Sequence, residues 1–203
     1  MNKEILCKNE HNCHKNHKKY GPSSFAMHNY KNIFNKLNLK ENEIFLDLGC
    51  GAGDYSIYAS NLLKDKGKIY SIDNNQSIIN NFSNRIKEQK INNIEIINSD
   101  IKQKIDLADN TIDICLVATV LHSTNYEKSK NIIFSEIVRV MKNNGRLAII
   151  ECKKKNTNFG PPIENRISEN NLIKDLENFG FIKIDYLDLE TNYFILFKLN
   201  KNL

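Results

Sequence analysis

The 203-residue chain has no apolar run approaching the length of a membrane span, and its N-terminus is polar and basic with no hydrophobic segment. A membrane protein is thereby excluded as an expectation, and a cytoplasmic location is expected. Cysteine is scarce and odd in number, five in all, so a framework of structural disulfides is not expected. Basic charge is also thin outside one end. Residues 1–20 hold five lysines against Glu4 and Glu10, a local +3 of the formal +5, which leaves the body nearly balanced. A dedicated nucleic-acid groove would need a basic stripe there, so no nucleic-acid partner is expected. No internal repeat is visible. With 40% hydrophobic and 26% charged residues, the composition is that of a globular domain. A chain of this length buries roughly 70% of its unfolded surface without help from metal or disulfides.

Glycine is sparse too, eight residues in all, yet three of them fall at Gly49, Gly51 and Gly53. They follow an apolar run, Glu43-Ile-Phe-Leu-Asp-Leu, and precede a helical pattern through Tyr55, Ile57, Tyr58, Leu62 and Leu63. Glycines at such a turn let the backbone bend sharply and admit a ligand where a Cβ would intrude. A strand-to-helix turn at the carboxyl edge of a sheet is where open α/β folds bind nucleotide-like cofactors. Asp73 ends the next apolar run, Lys68–Asp73, where a carboxylate can take both hydroxyls of a ribose. The spacing is G-x-G-x-G, not the G-x-G-x-x-G of dinucleotide sites. Asp47 and Asp54 bracket the loop, which suits an ammonium or sulfonium and would repel a pyrophosphate.

The stretch Phe45-Leu-Asp-Leu-Gly-Cys-Gly-Ala-Gly53 resembles the first motif of the class I S-adenosylmethionine-dependent methyltransferases. That resemblance implies a cofactor site in which Asp47 and Gly49 hold the methionine part, with Gly51 and Gly53 in the same loop. It also implies Asp73 on the ribose, and Asp100 with the Ile101 amide on adenine. Nucleobase-amine methyltransferases carry an Asp/Asn-Pro-Pro-aromatic motif after the fourth strand. Here Ala118-Thr-Val-Leu-His-Ser-Thr124 stands instead, with no proline. This segment resembles small-molecule methyltransferases of the menaquinone-biosynthesis type, and places Ala118 and His122 at the pocket. Lys153-Lys154, Phe159-Gly-Pro-Pro162 and Arg166-Ile-Ser168 resemble a prokaryotic subgroup of these enzymes, which supplies no substrate.

The expected fold is α/β, a doubly wound, mostly parallel seven-stranded sheet with an antiparallel last strand, the Rossmann-like methyltransferase fold. Strands are expected near 43–48, 68–73, 94–97, 111–119, 146–152, 181–187 and 192–199. A helix capped by Ser24 is expected to run through Leu37, and others over 128–142, ended by Asn143-Asn-Gly145, and 168–179, capped by Ser168. Residues 1–20 read as a flexible Cys/His-rich tail, 21–203 as one domain, and 153–166 as a lid loop.

Methyl transfer from a sulfonium is an in-line displacement, for which alignment supplies up to about 7–11 kcal/mol. His122 is a candidate base, since imidazole accepts a proton near neutral pH. Lys153 and Arg166 are candidate anchors for an anionic substrate. Cys7, His11, Cys13, His14 and His17 crowd into eleven residues as candidate zinc ligands, though their spacing matches no zinc finger. Cys115 reads as a core residue. Cys50 and Cys152 map to the active edge and suggest an alternative, methyl transfer to a metalloid or thiol. A non-catalytic cofactor-binding or metal-sensing protein is the other alternative. The oligomeric state is left open.

Overall fold

The computed structural model describes residues 23–64, 66–157 and 160–202. The Cys7–His17 cluster and Phe159 lie outside them. Seven strands form one sheet in the order β3-β2-β1-β4-β5-β7-β6. They are β1 (Ile44–Leu48), β2 (Lys68–Asp73), β3 (Ile94–Asn98), β4 (Ile112–Ala118), β5 (Met141–Cys152), β6 (Phe181–Leu189) and β7 (Asn192–Leu199). Strands β1 to β5 pair in parallel, and β7 inserts antiparallel between β5 and β6.

Helices α1 (Tyr30–Leu37), α2 (Asp54–Leu63) and α3 (Gln76–Glu88) cover one face of the sheet, and α4 (Tyr126–Val140) and α5 (Glu169–Glu177) the other. The alternation of β4 shows how one strand serves both. Ile114 and Leu116 join the core under α1 and α2, while Ile112, Cys115 and Val117 join the core under α4 and α5. Every one of these is fully buried. Burying an Ile or Leu side chain contributes about 1.5–3 kcal/mol, so β4 alone anchors both layers.

Two boundaries differ from the sequence expectation. The first helix does not start at Ser24. A short 3₁₀ turn, Phe25–Met27, is followed by extended His28, and α1 begins after Asn29, whose side chain accepts from Asn32 N. The Ser24 hydroxyl instead meets the buried Tyr55 hydroxyl at 3.4 Å. Strand β5 starts at Met141, five residues earlier than expected, with a bulge opposite Ile112–Ile114. Asn143-Asn-Gly145 therefore lies within that irregular strand start, and α4 ends at Val140. The Ser168 cap is present, its hydroxyl accepting from Asn171 N. Among the described residues no helix is long and apolar enough to cross a membrane.

Chain order turns from β3 back across to β4, so β1 and β4 are neighbours whose onward connections run in opposite directions. The crevice beyond their carboxyl ends is a topological switch point.

Candidate active site

A cavity of about 840 Å³ opens at that crevice, a size suited to small ligands. Gly49, Cys50 and Gly51 after β1, Asp73 and Asn74 after β2, and Asp100, Ile101 and Lys102 after β3 form one end. Ala118, Thr119, Val120 and His122 after β4 form the other, with Cys152 after β5, Gly160, Pro161 and Asn192. Ser23, Ser24, Met27 and Tyr55 close it from the N-terminal side.

The glycine loop is held by backbone. Gly49 N and Cys50 N both donate to Ile72 O, at 2.8 and 2.9 Å. Gly51 N donates to Asp73 Oδ2 at 3.0 Å, tying the loop to the end of β2. The other Asp73 oxygen accepts from Asn75 N at 2.9 Å, which leaves the half-buried carboxylate with acceptor capacity toward the cavity. Asp100 sits likewise at the end of β3 and accepts from Lys102 N.

The two acids that bracket the loop do not line the cavity. Asp47 is 1% exposed. Ser56 Oγ donates to it at 2.5 Å, and Ser71 Oγ lies 2.8 Å from that hydroxyl. Burial, opposed by the Ser56 hydrogen bonds and reinforced by the charges of Asp73 and Asp54, raises the Asp47 carboxyl to about 7. Asp54 pairs with Arg85 at 2.7 Å. The described acids that line the cavity are thus Asp73 and Asp100. Gly53 is also set back. It starts α2 at φ +78°, and a Cβ there would stand 2.2 Å from Phe82 Cε2, so its role in the structure is close packing of α2 against α3.

The segment after β4 leaves the sheet abruptly. Thr119 adopts φ +56°, rare for a β-branched residue, and its amide donates to Ile150 O at 2.7 Å. The turn carries Leu121–Ser123 over the cavity as a 3₁₀ turn. There His122 Nδ1 lies 2.8 Å from Glu151 Oε2, and Leu121 N donates to Glu151 Oε1 at 2.7 Å. Glu151 is fully buried at the end of β5. Sequence reasoning missed it because a single acid in an apolar strand has no spacing signal.

Neither expected anion anchor faces the cavity. Arg166 is 5% exposed, and its guanidinium donates to the carbonyls of Pro161, Lys153 and Lys155 and to Thr157 Oγ1. It braces the 153–166 loop. Lys153 pairs with Asp188. Cys50 and Cys152 both line the cavity, but burial, with nearby carboxylates second, pushes both thiols up and keeps them protonated. That disfavours the thiolate site of the metalloid alternative. Cys115 is a buried core residue in mid-strand.

An open sheet with a glycine loop and two strand-end acids around a switch-point crevice defines an α/β protein of the nucleotide-type cofactor-binding class. Comparison with known proteins narrows this. A methyltransferase-domain family model matches residues 39–193, and the chain belongs to that family. A curated relative from Methanococcus maripaludis, "Probable cobalt-precorrin-6B C(15)-methyltransferase (decarboxylating)", is 39% identical over 74 residues, 36% of this chain and 39% of the relative. A demethylmenaquinone methyltransferase from Lactobacillus johnsonii is 26% identical over 124 residues, 61% of this chain and 50% of the relative. The chain thus spans half or less of the length of these curated relatives. A solved SAM-dependent methyltransferase from Aquifex aeolicus is 27% identical with a TM-score of 0.80, covering 95% of this chain and 100% of that one. The PH0226 protein from Pyrococcus horikoshii, 14% identical, shares the fold with a TM-score of 0.72 over 84% of this chain and 88% of its own. The comparisons give the expected zinc no support.

Proposed function

We propose that this chain transfers a methyl group from S-adenosylmethionine to a small-molecule acceptor. The observation that carries the reading is the pairing of Gly51 N with Asp73 beside Asp100, at the ends of three adjacent strands around one cavity. These residues fit the cofactor. Asp73 retains lone pairs for ribose hydroxyls, Asp100 and the Ile101 amide stand where an adenine edge would be read, and Gly51 leaves room for the methionine part, while Gly49, where a Cβ would stand 2.4 Å from Val120, lets the loop pack against the turn after β4. When bound, the cofactor supplies an activated methyl on a sulfonium. The chain's part is alignment and water exclusion. Ile78, Ile101, Ala118 and Val120 provide an apolar wall, while the N-terminal turn and the Arg166-braced loop cover the acceptor end. Asp47, behind the glycine loop, acts on the cofactor only through the loop and the summed field.

Cobalt-precorrin and demethylmenaquinone are acceptors named for the relatives; here the support reaches only a small molecule. The described lining holds Lys102 and His122 as its basic groups, a poor match for a polyanionic acceptor. Calorimetric titration with S-adenosylmethionine and, in parallel, NAD tests the cofactor. Binding of the first alone is expected. Gly51→Leu, which puts a side chain into the cavity, should abolish that binding in a folded protein. Asp73→Ala should weaken it by about 1–3 kcal/mol through lost charged hydrogen bonds. Unchanged affinity in either variant would remove that residue from the cofactor site.

A further inference from the structure

Glu151 is fully buried behind His122, which lines the cavity, and its hydrogen bonds are specific. Oε1 accepts from Leu121 N at 2.7 Å, and Oε2 from Cys152 N at 3.3 Å. Donors therefore approach both oxygens, the pattern of an acceptor-only carboxylate. The remaining partner, His122 Nδ1 at 2.8 Å from Oε2, must then carry its proton toward the acid. In the neutral ring this leaves Nε2 with a free lone pair. The His122 side chain is 19% exposed and lines the cavity beside Cys152, Gly160 and Pro161.

We propose that Glu151 is a positioning residue that fixes His122 with Nε2 as the site's proton acceptor, and that the methyl acceptor is accordingly a small molecule whose reacting atom gives up a proton, as a hydroxyl, a thiol or an activated C–H does. The proposal rests on the methyl-transfer reading above. A tertiary amine or an anion already offers its lone pair and has no proton to lose; an O–H, S–H or activated C–H needs a base as its bond to carbon forms. In the balanced step the acceptor's proton passes to His122 Nε2 and an electron pair of the acceptor forms the new bond to the methyl carbon. The carbon–sulfur bond breaks with its electrons on sulfur, which becomes a neutral thioether. The imidazolium left behind faces the Glu151 carboxylate until it loses the proton to solvent.

A metal is the competing use of the same atoms, because ligand atoms of His122, Glu151 and Cys152 lie within 4.8 Å of one another. The observed bonding favours the proton relay. Glu151 is already engaged on both oxygens by backbone amides and the ring.

The test begins with the unmodified chain. Long-range ¹H–¹⁵N correlation on histidine-labelled protein, with S-adenosylhomocysteine added and His122 assigned through H122Q, reads the tautomer directly. Nδ1–H with unprotonated Nε2 is expected; the opposite tautomer overturns the proposal. In Glu151→Gln the new amide can donate to the ring, so the tautomer should invert while affinity for S-adenosylhomocysteine stays within twofold. Against a panel of phenols, aliphatic alcohols, thiols and tertiary amines, turnover is expected only for protic acceptors. The Gln variant should lower kcat on the order of 10²–10⁴-fold, the range of a lost general base, with KM nearly unchanged. Methylation of tertiary amines alone, or a KM change without a kcat change, refutes the assignment. So does a cobalt(II)–thiolate absorption band that Cys152→Ala removes. If the tautomer is as expected but S-adenosylhomocysteine does not bind, the methyl-transfer reading falls and takes the acceptor class with it. If the ligand binds and the tautomer is wrong, only this proposal falls.

Discussion

Replacing Asp47 by Asn tests whether the acid of the glycine loop is a stabilising anion or a buried group held near its protonation point. Its carboxyl is raised from an ordinary 3.8 to about 7, chiefly by burial. That gap of about three pH units, at ~1.4 kcal/mol each, is on the order of 4 kcal/mol. The folded state binds the proton more tightly than the unfolded chain. The contribution is therefore fully present below the unfolded value, is lost as pH rises toward 7, and stays lost above it. Asparagine cannot ionise and keeps an oxygen to accept from Ser56 Oγ, which stays linked to Ser71 Oγ. Urea unfolding of both proteins from pH 5 to 8 isolates this group, since the other titrating residues cancel in the difference. The Asn variant should gain on the order of 2–3 kcal/mol relative to the native chain between pH 5 and 8. A difference that is flat over that range, or that moves against the variant, would refute the claim that burial dominates at Asp47.

Three further outcomes follow from the packing. Gly53→Ala should destabilise by about 2–4 kcal/mol, combining a left-handed φ with a Cβ driven into Phe82; a chemical denaturation midpoint equal to the native one would remove Gly53 from the α2–α3 contact. His28 is buried, and burial, opposed by the Asn192 side chain, lowers it to about 4. As pH falls from 6.5 to 4 the unfolded chain takes up that proton first, costing the fold about 3 kcal/mol; His28→Gln should flatten the native curve in this window, and an unaltered acid limb would show that His28 is not its source. Arg166→Ala should raise proteolytic cleavage within 153–166 several-fold, because four loop acceptors lose their donor; an unchanged cleavage rate would mean that the loop is held by other contacts.

How far the site could be read in advance depended on whether a residue's role is local. Gly49, Gly51 and Asp73 were placed from the ends of apolar runs, Asp100, Ile101 and Ala118 with the help of the family resemblance, and the structure brings all six to one cavity. A parallel sheet forces that convergence, because equivalent ends of its strands lie on one edge. His122 was reached by motif and lies there too. Asp47, Lys153 and Arg166 sit where the sequence suggested, yet their side chains do other work, and Gly53 serves the packing of α2 on Phe82. An acid or a cation one residue from a site has no sequence mark for the direction it points.

The sequence by itself determined the alternation of strands and helices and the glycine turn at the crevice, while the strand order that sets β1 beside β4 was read only from the structure. The alternation and the turn follow from short-range periodicity and from backbone conformations that few residues tolerate. Only the tertiary structure decided which charges face the cavity. Asp54 is neutralised by Arg85, 31 residues away, Arg166 is spent on its own loop, and Glu151 meets His122 across 29 residues of chain. Contacts of that separation depend on how the layers pack, and packing is set by all the buried side chains together.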